Sequence, residues 1–299
     1  MTVDLDPLPP LAEGNVREMR LHVRCPAKVN LFLSVGKKDE RGYHPLRTIF
    51  QTVGLEDEIF IEPTYGLPDL SFNWPWVPEV NTVSRALSLV SEIATVPNLK
   101  IEVVKHIPME SGLGGGSSDA GGLLRAIQKI TGVGSEAELR SVAIAIGADV
   151  PFFLTGGRAR AEGYGEILTP EKDHPREWML IVKPEIGCST GEMFAKLDAL
   201  DYEWREFPED DKLYNDFERV APCECLELIE QLCKLGARDA GLSGSGSAVF
   251  GRFDNEPSAE TACERLLEDF EGHAWVAPTL TRKESLDLAV LGEAGHPGT

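Results

Sequence analysis

Apolar residues fall at every second position through "MRLHVRC" and "KVNLFLSVG", a period that sends alternate side chains to one face and predicts two strands. "HPLRTIFQTVGL" and "DEIFIEP" repeat the pattern after the polar turn "KKDERGYH", so the chain begins β-rich. The period then lengthens. "NTVSRALSLVSEIATV" spaces its apolar residues for a helix behind Asn81, a good N-cap, and "LKIEVVKHIP" is a strand that ends at a proline. A glycine-rich loop follows, then helices through "SSDAGGLLRAIQKI" and "SEAELRSVAIAIG", the second ended by Gly147. "ADVPFFLTGG" reads as loop and "RARAEGYGEIL" as strand.

Beyond Pro170 come a strand "EWMLIVKP", helices at "STGEMFAKLDAL" and "CECLELIEQLCKLG", a Gly/Ser segment "GLSGSGSAVFGRF", a helix at "SAETACERLLEDF" and a strand "HAWVAPTL". Strands and helices mix without strict βαβ repetition, which predicts an α+β fold. The expected division is two domains, 19–166 and 167–286, between a flexible extension at 1–18 and a flexible tail at 287–299.

Charge narrows the partners. A formal net charge of -20 over 299 residues argues against affinity for a nucleic-acid backbone or an anionic membrane, and leaves small molecules, including anionic ones held in a locally positive pocket. No apolar run is long enough to span a bilayer, and the first twenty residues resemble neither a signal nor a transit peptide, so a cytoplasmic protein is expected. The six cysteines show no Cys-x-x-Cys pair and are read as reduced thiols, with Cys223, Cys225 and Cys233 expected as buried small hydrophobes on a helix in preference to zinc ligands.

The candidate chemistry lies in "PMESGLGGGSSDAGGLLRAI", with four glycines among the five residues from Gly112 to Gly116. Glycines between a strand and a helix let main-chain N–H groups converge on an anion, and the helix dipole adds partial positive charge there, so the loop is read as a phosphate site. It is not a Walker A loop, because Gly116 is followed by Ser117 and Ser118 and not by a lysine. It is not a Rossmann loop either, because Ser117 stands where the third glycine belongs and the next element is another helix.

The stretch resembles the Pro-x-x-x-Gly-Leu-Gly-x-x-Ser-Ser signature of the GHMP kinases. "CPAKVNLFLSVGKKDERGYHPLRTIFQTVGLEDEI", "GADVPFFLTGGRARAEGYGEIL" and "GLSGSGSAVFGRF" match further segments in the right order, and narrow the resemblance to the branch whose members phosphorylate 4-diphosphocytidyl-2-C-methyl-D-erythritol. The similar regions span roughly Leu21 to Phe253. The resemblance implies an N-terminal domain like domain 2 of ribosomal protein S5, a C-terminal α/β sandwich, and an active site between them. It also implies ATP and Mg²⁺, transfer of the γ-phosphoryl to the 2-hydroxyl of the acceptor in isoprenoid-precursor synthesis, and a small-molecule acceptor. A monomer or weak homodimer is expected.

The resemblance carries roles to residues. Asp149 matches the catalytic aspartate and Lys28 the active-site lysine; Asn30, two residues on, would bond the erythritol hydroxyls. Tyr43 and His44 match the pair that recognises cytosine. Pro108, Gly112, Leu113, Gly114, Gly115, Gly116, Ser117 and Ser118 would wrap the ATP phosphates, while Asn81 and Lys105 fall where the family lines the adenine pocket. Gly244 and Gly246 belong to a third motif packed against the site. Metal ligands stay unassigned. Two rival readings are a kinase of this superfamily acting on another alcohol and a non-catalytic ligand-binding relative. The chain departs from the pattern at Glu110 and Ser111, where small residues are usual.

Overall fold

The computed structural model describes residues 19–74, 77–132 and 134–291. The expected extension at 1–18 and the tail from 292 lie outside the described residues. β1 (Arg20–Val35) and β2 (Leu46–Pro63) are the long strands, followed by β3 (Asp69–Phe72), α1 (Thr82–Ile93), β4 (Leu99–Val104), α2 (Gly115–Thr131), α3 (Glu136–Ile146) and α4 (Phe152–Thr155). The hairpin of β5 (Arg158–Glu162) and β6 (Ile167–Pro170) comes next, then β7 (Trp178–Pro184), α5 (Thr190–Asp198), β8 (Tyr214–Asn215) and a 3₁₀ turn at Asp216–Arg219. The chain ends with α6 (Cys223–Lys234), β9 (Asp239–Leu242), β10 (Val249–Phe253), α7 (Glu256–Leu267), β11 (Gly272–Pro278), α8 (Arg282–Ser285) and β12 (Leu288–Leu291).

The first sheet runs β12-β1-β2-β4-β3, with β5 added to β2, β6 to β5 and β8 to β1. Leu21, Val23, Ile59, Ile61, Ile101 and Val103 point from it into a core shared with Ala120, Leu123, Leu124 and Ile127 of α2. The second sheet, β11-β7-β10-β9, is antiparallel throughout and carries α6 and α7. A third core joins the sheets, where Val29 and Leu31 of β1 meet Met179 and Ile181 of β7 and Phe250 of β10. β1 is therefore buried from both sides in its second half, and whatever polar groups it carries there are held rigidly.

Several sequence expectations change. Of the three cysteines expected to be buried on α6, Cys225 is buried while Cys223 and Cys233 are exposed, because they fall on its outer face. "HPLRTIFQTVGL" and "DEIFIEP" form the single strand β2. "MRLHVRC" and "KVNLFLSVG" form one strand, because the register shift between Pro26 and Ala27 absorbs the proline, which has no N–H for the ladder. The loop expected in "ADVPFFLTGG" contains the single turn α4. The boundary at 166/167 cuts a hairpin, since Ile167–Pro170 pairs with Ala159–Glu162. The tail expected from 287 begins with a strand, since Leu288–Leu291 pairs with Arg20–Val23 of the first sheet. Both of the last two depend on partners far along the chain or across a turn, which local period does not report.

Candidate active site

The glycine loop is shaped by what lies behind it. Gly112 and Gly114 take φ of 76° and 75°, and Gly114 caps α2 without any side-chain hydrogen bond. The first N–H groups of a 17-residue helix are thereby left facing outward. Leu113 is fully buried and its carbonyl accepts the Lys28 N–H at 2.9 Å, tying the loop to β1. A Cβ on Gly112 would lie 2.0 Å from the Ser243 carbonyl oxygen, and Ser243 Oγ donates to the Gly112 carbonyl at 3.0 Å, so the loop also leans on the Gly/Ser turn of the second sheet. Asn215 holds that turn by donating to the carbonyls of Leu242 and Gly244, each at 2.8 Å.

The two adjacent serines face different ways. Ser118 is buried and donates to the Pro26 carbonyl at 2.7 Å, while Ser117, one helical step earlier, stays half-buried. The Gly116 carbonyl accepts from Thr82 at 2.6 Å, and Asn81 caps α1 beside it through the N–H groups of Val83 and Ser84. Pro108 is half-buried at the entry to the loop, its carbonyl bonded by Ser111 Oγ at 2.7 Å.

Lys28 is 3% exposed. Its ammonium donates to Asn30 Oδ1 at 2.7 Å and lies 3.7 Å from Asp149 Oδ2, whose side chain is 34% exposed. Asn30 donates in turn to Thr48 Oγ1 at 2.8 Å, and Thr48 to the Phe32 carbonyl at 2.6 Å, so the chain of donors fixes which Asn30 atom faces the lysine. Burial lowers the Lys28 pKa below its ordinary value, with Asp149 pulling the other way. The arrangement is a buried cation, held by the Asn30 amide oxygen, offering its charge to a half-open carboxylate.

Lys28, Asn30, Tyr43, His44, Gly112, Gly114 and Asp149 line one cleft of about 630 Å³, together with Gly244 and Ser245. Tyr43 is 64% exposed at its rim. His44 is buried, its Nδ1 donates to the Gly36 carbonyl at 3.0 Å, and its ring stacks on Phe194 of α5 at 4.8 Å. The structure therefore brings the lysine, the aspartate, the aromatic pair and the glycine turn together.

Pro108, Leu113, Asn81, Lys105, Gly115, Gly116, Ser117 and Ser118 do not line this cleft; the last four form the first turn of α2, Asn81 caps α1 and Lys105 follows β4. The Lys105 side chain turns inward, paired with Asp57 and with Asp119 at 2.5 Å, and its backbone is bonded to Asn73, whose Oδ1 accepts the Lys105 N–H at 2.8 Å and whose amide donates to the Lys105 carbonyl at 3.4 Å. Asp57 also accepts the N–H groups of His106 at 2.5 Å and Ile107 at 2.8 Å. Burial, opposed by Lys105 and reinforced by the Asp57 charge, pushes the Asp119 carboxyl up to about 7. This cluster clamps the end of β4 to α2 directly under the glycine loop. Sequence reasoning missed Asp57, Asp119, Thr48 and Phe194. Asp119 stood within the quoted glycine stretch, and only its place on the inner face of α2 marked it; Phe194 carried no signal beyond an apolar helix position.

Residues 81–157 match the model of the GHMP kinases N terminal domain and residues 219–272 that of the GHMP kinases C terminal domain. The chain is 36% identical to a 4-diphosphocytidyl-2-C-methyl-D-erythritol kinase of Geobacter metallireducens, over 82% of this chain and 94% of that protein. The chain belongs to this family of GHMP kinases. A namesake of Geobacillus thermodenitrificans is 33% identical, over 90% of this chain and 100% of its own length. A crystal structure of 4-(cytidine 5'-diphospho)-2C-methyl-D-erythritol kinase superposes with a TM-score of 0.76 at 35% identity, covering 86% of this chain and 98% of that one. A homoserine kinase of Cytophaga hutchinsonii, at a TM-score of 0.67 and 16% identity, shares the fold. The architecture is the two-domain α+β fold of GHMP kinases.

Proposed function

We propose that the protein transfers the γ-phosphoryl group of ATP to the 2-hydroxyl of 4-diphosphocytidyl-2-C-methyl-D-erythritol, a step of the methylerythritol phosphate route to isoprenoid precursors. Family membership supports the reaction, and one observation carries the mechanism: Lys28, Asp149 and the turn at Gly112 and Gly114 open onto the same cleft as Tyr43 and His44. An acceptor lying between them has its hydroxyl beside Asp149 and its base at the rim.

Phosphoryl transfer needs in-line placement and charge neutralisation more than covalent help. The N–H groups at the start of α2 hold the anionic tail of ATP, and Lys28 offsets charge on the moving phosphoryl. Asp149 orients the hydroxyl and takes its proton late, as the new O–P bond acidifies it. Asn30 positions both the lysine and the erythritol hydroxyls. Tyr43 stacks on cytosine while His44, locked against Phe194, fixes the loop around it. Asn81 and Lys105 border the adenine. Ser117, half-buried in the first turn of α2, would be the hydroxyl available to Mg²⁺ beside the phosphates. The ion would neutralise phosphate charge.

No helix among the described residues is long and apolar enough to cross a membrane, and we take the enzyme to act in the cytoplasm, as a monomer or weak homodimer, without nucleic-acid or membrane partners. The test is ADP release from Mg·ATP with 4-diphosphocytidyl-2-C-methyl-D-erythritol, against homoserine, mevalonate and galactose. ADP formed with the first acceptor alone, and lost in Asp149→Ala, supports the reading; equal turnover with mevalonate overturns it.

A further inference from the structure

The loop between β1 and β2, which carries Tyr43 and His44, closes around one carboxylate. Asp39 Oδ1 accepts the N–H groups of Arg41 and Tyr43, both at 2.9 Å, and the Asp39 N–H donates to the Tyr43 carbonyl at 2.8 Å. Asp39 Oδ2 turns out of the loop and accepts the Tyr164 hydroxyl at 2.5 Å. Arg41 bonds the same hydroxyl and holds its guanidinium 5.1 Å over the Tyr164 ring. The Tyr43 ring meets the Tyr164 ring edge-on at 5.7 Å. Tyr164 and Tyr43 both line the cleft.

Tyr164 is itself fixed. It stands at the tip of the β5–β6 hairpin, where its N–H donates to Glu166 at 2.6 Å and the neighbouring Gly163 carbonyl accepts the Leu46 N–H at 2.8 Å. Arg140 of α3 donates to the Glu166 carbonyl at 2.8 Å. A Cβ on Gly165 would lie 3.5 Å from the Ala148 carbonyl, so the tip abuts the turn that presents Asp149. The hairpin thus touches both ends of the acceptor site. On the opposite wall, Asp198 of α5 reaches Lys38 at 3.8 Å and His44 Nε2 at 3.4 Å, so the loop is suspended between the two halves of the molecule.

We infer that Tyr164 is a positioning residue for the acceptor: through Asp39 it sets the base-binding loop at a fixed distance from Lys28 and Asp149, and its ring backs Tyr43 where that ring meets the base. The inference rests on the diphosphocytidyl acceptor proposed above. The Tyr164 hydroxyl, followed by the Tyr43 N–H, holds the Asp39 carboxyl down to about 2, so the acceptor of these bonds is ionised at neutral pH. A residue acting this way changes how tightly the cytidine end is held and leaves the transfer step alone.

The experiment compares the wild type with Tyr164→Phe, Asp39→Asn and the double variant, by steady-state kinetics with each substrate varied and by calorimetric binding of cytidine 5'-diphosphate. Losing a hydrogen bond to an ionised group predicts a rise of about tenfold in acceptor KM and in the diphosphate Kd for either single variant. The kcat and the KM for ATP stay within about twofold, and the double variant loses less than the sum of the singles, because the Tyr164–Asp39 bond is common to both while each single variant also removes a contact with Arg41. Wild-type constants in Tyr164→Phe, a lowered melting temperature with both constants unchanged, or additive losses in the double variant overturn the inference and leave the acceptor assignment standing. A wild type that turns over mevalonate as fast as the diphosphocytidyl acceptor and does not bind cytidine 5'-diphosphate overturns both.

Discussion

Lys28 and Asp149 approach to 3.7 Å across the cleft, yet the lysine side chain is 4% exposed and the aspartate side chain 34%. The cation is fixed by protein and the carboxylate faces the cleft, an asymmetry suited to the proposed roles of a charge that waits and a base that meets the substrate. Asp149→Asn keeps the shape and the contact with Lys28 but cannot accept a proton. We expect kcat to fall about a thousandfold with acceptor KM nearly unchanged, the mark of an interaction made in the transition state. Steady-state kinetics decide it: a KM effect without a kcat effect would reduce Asp149 to a binding group.

The same burial sets the alkaline limb. Desolvation lowers Lys28 from its ordinary value of 10.5, with Asp149 opposing the shift. If protonated Lys28 is the active form, as proposed, activity is full below the lowered pKa and is lost as pH rises through it. The limb in kcat/KM therefore lies at lower pH than an exposed lysine gives. In Asp149→Asn the opposing charge is gone, and the residual activity should lose its alkaline limb at still lower pH. A pH–rate profile of both proteins checks this, and an unmoved limb assigns the titration elsewhere.

The glycine loop offers a graded steric test. Ala at Gly112 must adopt φ of +76° and place a Cβ 2.0 Å from the Ser243 carbonyl oxygen, whereas Ala at Gly132, with φ of +63°, meets nothing within 4 Å. The second substitution costs only the left-handed backbone, about 1 kcal/mol, and the first adds a clash for a total of about 2–5 kcal/mol. Urea titrations of the two variants should separate by that margin, and only Gly112→Ala should also raise the KM for ATP. Equal costs would mean that the Gly112–Ser243 contact is loose.

Local pattern made part of this site legible. Lys28 and Asn30 share a strand face by the period of two, and the glycines announce a helix start. The buried clamp beneath them was not legible, because Asp57, Lys105 and Asp119 come from β2, the end of β4 and α2 and are brought together by the sheet and the helix it carries. A lysine at the end of a strand reads as a solvated charge until its two carboxylates are placed. The Tyr164–Asp39 link is hidden for the same reason: 125 residues separate the partners, and both sit in what reads as turn chemistry. The tail strand β12 was lost because four residues without clear alternation acquire an identity only from β1.

Glu110 shows what a departure from the family pattern costs. It adopts φ of 51°, the one positive value among the described non-glycine residues, and its Oε2 would lie 3.2 Å from a Cβ on Gly187, so the carboxylate rests on the segment between β7 and α5. A side chain in the left-handed region strains the backbone unless, like asparagine, it tolerates that conformation. Glu110→Asn removes most of that strain and a negative charge beside the phosphate loop. Stability should rise by about 0.5–1 kcal/mol, read from the urea midpoint at constant slope, with the KM for ATP equal or lower. A loss of stability would show instead that the carboxylate's contact with the second half of the molecule outweighs the strain it imposes, and that Glu110 is a strut between the phosphate loop and the β7–α5 segment.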